Sequence, residues 1–161
     1  MNLLALDLGT RTGWALDAPA VKARESGVQV FDVKRGESPG MRYVRFNRWL
    51  DEVARRGPYG HPVDLIVYEQ THHRGGAATE VAAGFSTRVQ EFCASMSIEH
   101  APVHSATLKK FTTGKGNADK DAMKSGAKER GWLNRLFYIP DDNEVDAICL
   151  LHYALAEIVT P

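Results

Sequence analysis

Residues 3–16 read LLALDLGTRTGWAL. With Met1 and Asn2, the first eight residues form a short apolar run broken only near its end by an acid, Asp7. Such a run reads as a buried strand. GTRTG (9–13) is a tight turn with a glycine at each end, and the apolar sequence resumes from Gly13 to Leu16. Gly27 to Val33 alternates apolar and polar residues, as a strand with one face to the core does. Three strands joined by short turns predict an antiparallel meander.

Outward from this meander the period changes. From Ser38 to Arg56, Tyr43, Phe46, Trp49, Leu50 and Val53 fall three or four apart with arginines opposite, which predicts an amphipathic helix. After the breaker loop GPYGHP (57–62), VDLIVY (63–68) is nearly continuous in apolar residues. That is the mark of a strand at the centre of a sheet, and it too ends on an acid, Glu69. The loop THHRGG (71–76) leads into a helix over 78–96, with Val81, Phe85, Val89, Phe92 and Met96 on one face. Ile98 to Val103 is a short strand. Thr107 to Arg130 is polar and lysine-rich, helical on either side of the turn TTGKGN (112–117). Asp142 to Val159 is the last helix, with Val145, Ile148, Cys149, Leu151, Leu155 and Ile158 as its core stripe. Three strands followed by alternating helices and strands predict an α/β fold, a mixed sheet flanked by helices.

The chain has 161 residues, 17.8 kDa, 43% of them hydrophobic. That suffices for one domain, residues 1–161, with a full core. With 20 basic and 20 acidic residues, neither the charge imbalance nor the low hydrophobicity of a disordered chain is present. No apolar run approaches the roughly 18 residues of a membrane span, and no basic leader precedes the first strand. Cys93 and Cys149 each sit in an apolar helical pattern and read as buried reduced thiols rather than a disulfide or zinc framework. A cytoplasmic protein without a membrane anchor is expected.

The acids carry the functional signal. Asp7 and Glu69 end apolar strands, where a carboxylate is costly unless a cation or a donor meets it. Asp142, Glu144 and Asp146 open the last helix. Asn143 and Asp146 are three apart, and Asp142 and Asp146 four apart, so each pair shares a helical face. Oxygen ligands without histidine or thiolate partners suit a hard cation such as Mg²⁺ or Mn²⁺.

Charge is also segregated along the chain. Residues 109–135 hold eight basic residues against three acidic ones, a net +5, and residues 141–161 hold five acids and no lysine or arginine. An acidic metal site beside a basic rim suits phosphodiester cleavage, since a nuclease needs cations facing the DNA backbone. Lys109, Lys110, Lys115 and Lys120 lie in the basic segment, where Gly114 and Gly116 would let the backbone approach phosphate. The arginines of the first helix read as its ordinary exterior.

At this point the chain resembles the RuvC family of Holliday junction resolvases, within the ribonuclease-H-like superfamily. LLALDLGTRTGWAL resembles the family's first strand and hairpin, VDLIVYEQ (63–70) its second acidic strand, LKKFTTGKGNADKDAMK (108–124) its lysine-bearing segment, and DNEVDAICLLHYAL (142–155) its terminal helix. The resemblance implies a five-stranded ribonuclease-H-like sheet and a crossover junction endodeoxyribonuclease. Its site would hold two Mg²⁺ ions (Mn²⁺ substituting) on Asp7, Glu69 and Asp146, with Asn143 or Asp142 as a fourth ligand. Asn143 departs from the family, which commonly has Asp or His there. Lys110 and Lys120 best match the family's lysines, and His72 and Arg74 fall where relatives approach the junction. The partners implied are a branched DNA, the four-way junction, and a second copy of the chain, with the helix from Ala78 to Met96 as the interface candidate. Three other classes share parts of the pattern. A related nuclease that processes RNA shares the acids. A non-catalytic junction-binding module would tolerate Asn143. An actin-like ATPase opens with a similar strand and turn, but encloses its nucleotide between two such domains, so no nucleotide cofactor is expected.

Overall fold

A computed structural model of the chain describes residues 1–70, 75–133 and 138–160. Strands β1 (Leu3–Asp7), β2 (Arg11–Ala18) and β3 (Ala23–Val30) form the meander. Helix α1 (Met41–Ala54) precedes β4 (Leu65–Glu69), and helix α2 (Ala77–Met96) precedes β5 (Glu99–Val103). Three helices close the described chain: α3 (Ser105–Thr113), α4 (Lys120–Glu129) and α5 (Asp142–Ala154). The sheet order is β3-β2-β1-β4-β5. The β1–β2 and β2–β3 pairs are antiparallel, and the β1–β4 and β4–β5 pairs are parallel. This is the expected mixed sheet of five strands.

The two faces of the sheet are buried against different helices. Leu4, Leu6, Leu16, Ile66 and Tyr68 pack with Phe46, Leu50, Phe85 and Val89 of α1 and α2. Leu3, Ala5, Ala15, Leu65, Val67 and Val103 pack with Leu108, Met123, Val145, Cys149 and Leu150 of α3, α4 and α5. Because side chains alternate along a strand, the residues after Ala5 and Val67 by two, Asp7 and Glu69, turn to the second of these faces.

The sequence reading misplaces several ends. β3 begins at Ala23 and stops at Val30, earlier than the alternation from Gly27 suggests, because the whole of it pairs with β2 from Ala18↔Ala23 to Arg11↔Val30. The last helix ends at Ala154 and passes into a wider π turn over Leu155–Val159. The helix with the apolar stripe at 81–96 gives Phe85, Val89 and Cys93 to the core. Cys93 and Cys149 are buried free thiols on opposite faces of the sheet. Among the described residues no helix is long and apolar enough to cross a membrane.

Candidate active site

β1 and β4 run parallel with Leu6 opposite Tyr68. The next residues, Asp7 and Glu69, therefore emerge beside one another at the same end of the sheet. α5 crosses this end. Asp141 caps it, its Oδ1 accepting from the Asn143 backbone N–H at 2.9 Å, and satisfies one of the donors that a helix start leaves unpaired. Asp146 follows one turn later and faces the two strand ends.

Asp7, Glu69 and Asp146 line one cavity of about 300 Å³, together with Lys109 and Ser105 of α3 and Asp119, Lys120 and Met123 around the start of α4. Three carboxylates that lie far apart in sequence thus share a wall with two lysines. Burial raises the Asp7 carboxyl well above its ordinary value, and the Asp146 and Glu69 charges add to the effect, with Asp141 contributing and Lys120 opposing. Burial pushes Asp146 up to about 6, aided by Glu69 and opposed by Lys120. Both shifts have the causes expected of carboxylates buried beside one another, which Lys120 offsets only in part.

The donors on this wall are carboxylate oxygens, which suit a hard divalent cation. No hydrogen bond among the described residues satisfies the Asp7 carboxylate. Among the described residues no three acidic, histidine or cysteine side chains are close enough to enclose an ion in this conformation. The chemistry of the donor set fits a divalent cation.

The other expected site residues are placed as follows. Lys109 and Lys120 are on the cavity wall. Lys110 is exposed on α3, one residue round the helix from Lys109. Lys115 is exposed in the α3–α4 turn and lines an adjoining groove with Gly114, Ser125 and Arg130. Gly114 is the left-handed cap of α3, at φ 84°, a conformation that favours glycine. Asp142 lies outside the cavity wall and pairs with Lys124 at 3.1 Å and Lys120 at 3.7 Å. Asn143 is also off that wall. Its side-chain Nδ2 donates to Asp141 Oδ1 at 2.9 Å. Glu144 points the other way entirely. It is fully buried, accepting from Ser26 Oγ at 2.7 Å and from Tyr138 Oη, and borders a separate cavity of about 210 Å³ under β2 and β3. It does not line the cavity of Asp7, Glu69 and Asp146. His72 and Arg74 lie outside the described residues. Asp119, Ser105 and Asp141 were not singled out from the sequence as parts of this site. Asp119 caps the start of α4, its Oδ1 accepting from the Ala122 N–H at 2.8 Å.

No protein-family model matches the chain, and no curated protein matches it by sequence. Solved structures match it over nearly its whole length. RuvC of Thermus thermophilus superposes with a TM-score of 0.70 at 18% identity, covering 97% of this chain and 96% of that one. The same organism's RuvC in complex with a Holliday junction substrate superposes with a TM-score of 0.73 at 17% identity, covering 99% and 97%. At this identity the likeness establishes a shared fold, the one expected from the sequence.

Proposed function

We propose that this protein is a metal-dependent endodeoxyribonuclease that resolves four-way DNA junctions, acting as a homodimer in the cytoplasm. The observation that carries the reading is the convergence of Asp7, Glu69 and Asp146 with Lys109 and Lys120 on one cavity. The end-to-end likeness in fold to a protein solved with a Holliday junction supports the choice of substrate.

Asp7, Glu69 and Asp146 would hold the divalent ions, Mg²⁺ or Mn²⁺, with Asn143 as a neutral fourth ligand. When bound, a pair of ions supplies an activated water and offsets the charge of the leaving oxygen. The carboxylates themselves form no bond to substrate. They must be ionised to serve, and cation binding lowers the proton affinity that burial and mutual repulsion have raised. Lys109 and Lys120 offer ammonium donors beside the carboxylates, where they attract the scissile phosphate and its neighbours. Lys115 and Arg130 extend the positive surface along the adjoining groove. The products would be a 3′-hydroxyl and a 5′-phosphate.

The test is cleavage of an immobile four-way junction with Mg²⁺, set beside linear duplex and structured RNA. Junction-selective nicking is expected, and Glu69→Gln should abolish it while leaving junction binding within about twofold. Cleavage of the RNA alone would replace the DNA assignment with an RNA-processing one. Binding without cleavage by the wild-type protein at any metal concentration would make it a junction-binding module. Wild-type rates in Glu69→Gln would remove Glu69 from the site.

A further inference from the structure

Asp141 engages both of its carboxylate oxygens. Oδ1 accepts from the backbone N–H of Asn143 and from its side-chain Nδ2, each at 2.9 Å. Oδ2 accepts from Arg11 Nη2 at 2.8 Å. Arg11 opens β2, two residues before Gly13, which pairs directly with Asp7. Gly13 is also where the start of α5 rests on the sheet. A Cβ there would stand 1.8 Å from the Asn143 carbonyl oxygen. The first turn of α5 is thus fixed to the Asp7 end of the sheet by a close backbone contact and by the Arg11–Asp141 pair.

The consequence falls on the Asn143 amide. Its nitrogen and oxygen occupy opposite branches of one planar group, and only the oxygen can ligate a cation. A carboxylate at this position presents an oxygen whichever way it rotates, whereas an amide has one right orientation and one wrong one. Asp141, an acceptor with no hydrogen to give when ionised, can hold only the nitrogen. No donor among the described residues meets the Asn143 oxygen.

The geometry points to Asp141 as a positioning residue: held by Arg11, it binds the nitrogen of the Asn143 amide and leaves the oxygen free to act as the neutral ligand of the metal site. The inference rests on the nuclease reading above and assigns Asp141 a role that the sequence pattern does not. Residues that orient a metal ligand typically affect affinity by about 10–100-fold when removed.

Direct calorimetric titration of Mn²⁺ and Mg²⁺ into the metal-free protein, without DNA, tests it. Asp141→Ser keeps a helix-capping oxygen but loses the grip on the amide and on Arg11, and should weaken Mn²⁺ binding about tenfold. Asn143→Ala should weaken it to a similar extent, and the double variant no further. In Asn143→Asp the ligand is symmetric, so adding Asp141→Ser should cost nothing. Arg11→Gln, which leaves the cap intact, should give a smaller loss that also vanishes in the Asn143→Asp background, and it serves if Asp141→Ser fails to fold. Wild-type affinity in Asp141→Ser overturns the inference, and so does a loss that persists in the Asn143→Asp background. If those variants bind as wild type does while Asp146→Asn loses the ion, the metal-nuclease reading stands and the role of Asp141 falls. If the wild-type protein binds no divalent ion, both fall.

Discussion

Asp146 shows how the site weighs on stability. Its carboxyl titrates near 6 in the folded protein, chiefly because it is buried and secondly because Glu69 faces it. An unfolded chain ionises it near 3.9. The folded state therefore binds more protons between those values, and stability falls as pH rises through that window. Without metal, Asp146→Asn should melt higher than wild type at pH 8, by on the order of 2–3 kcal/mol, and the difference should close by about pH 4. Divalent ions should raise the wild-type melting temperature at pH 8 and leave the variant nearly unmoved. Melting curves at the two pH values, with and without Mn²⁺, check this, and equal curves for both proteins at pH 8 would remove Asp146 from the cluster. His152 adds an opposite slope. Burial lowers it to about 4 against 6.5 unfolded, so its contribution is complete above about pH 6.5 and is lost on acidification toward 4. It is common to both proteins and cancels in the comparison. At this scale the sequence was informative where a carboxylate interrupts an apolar strand, as at Asp7 and Glu69. It was silent on Asp141, whose partner Arg11 lies 130 residues away in the chain.

At the scale of elements, helical phase separates what the sequence pattern shows from what it blurs. Consecutive helix residues differ by about 100°. The lysine-rich segment was legible as a basic helix pair, and the packing of Leu108 and Thr112 into the core separates its neighbouring lysines, with Lys109 on the cavity wall and Lys110 exposed beside it. The same phase sends Glu144 toward β3 while Asp146, two residues on, faces the strand ends. Each lysine that contacts a phosphate should contribute about one unit to the slope of log K against log salt. Lys120→Ala and Lys109→Ala should each flatten the junction-binding slope by about one, read by fluorescence anisotropy from 50 to 200 mM salt. An unchanged slope in both would make the cavity lysines plain solvated surface. The docking of α5 on β2 offers a second check. Gly13→Ala forces a methyl into the Asn143 carbonyl, and backbone on both sides leaves no flexible group to yield. Displacing the start of α5 should destabilise the protein by about 1–3 kcal/mol and cost metal affinity as well, measurable by denaturant unfolding and by calorimetry. Gly13 stood in the sequence as the end of a turn, and its closeness to a helix 130 residues later is a property of the packed sheet alone.

Over the whole molecule, near-neutral charge conceals a division of labour. The basic run of α3 and α4 and the acids of α5 cancel in composition, yet the fold sets Lys109 and Lys120 on the same cavity as Asp146, because α3, α4 and α5 all cover one face of the sheet. Topology was readable because each strand and helix kept its own period. The quaternary arrangement was not, since the apolar stripe of α2 that suggested an interface gives Phe85, Val89 and Cys93 to the core and leaves no separate stripe to read. The proposed substrate argues for two copies. A four-way junction has two equivalent strands to cut, related by a two-fold axis, and a closed homodimer presents two sites with that same symmetry. One carboxylate site per chain would then mean one nick per chain. On a supercoiled plasmid that extrudes a cruciform, a dimer that nicks both strands within one encounter converts circle to linear directly. A monomer releases after the first cut and relaxes the plasmid, which reabsorbs the cruciform and ends the reaction as nicked circle. Linear product from the earliest times is expected, with a rate that falls as the square of protein concentration below the dimer dissociation constant. Sedimentation should show a dimer of about 36 kDa, twice the 17.8 kDa chain, over the concentrations that yield linear product. Nicked circle as the lasting product, with a first-order dependence on protein, would leave a junction nickase acting as a monomer.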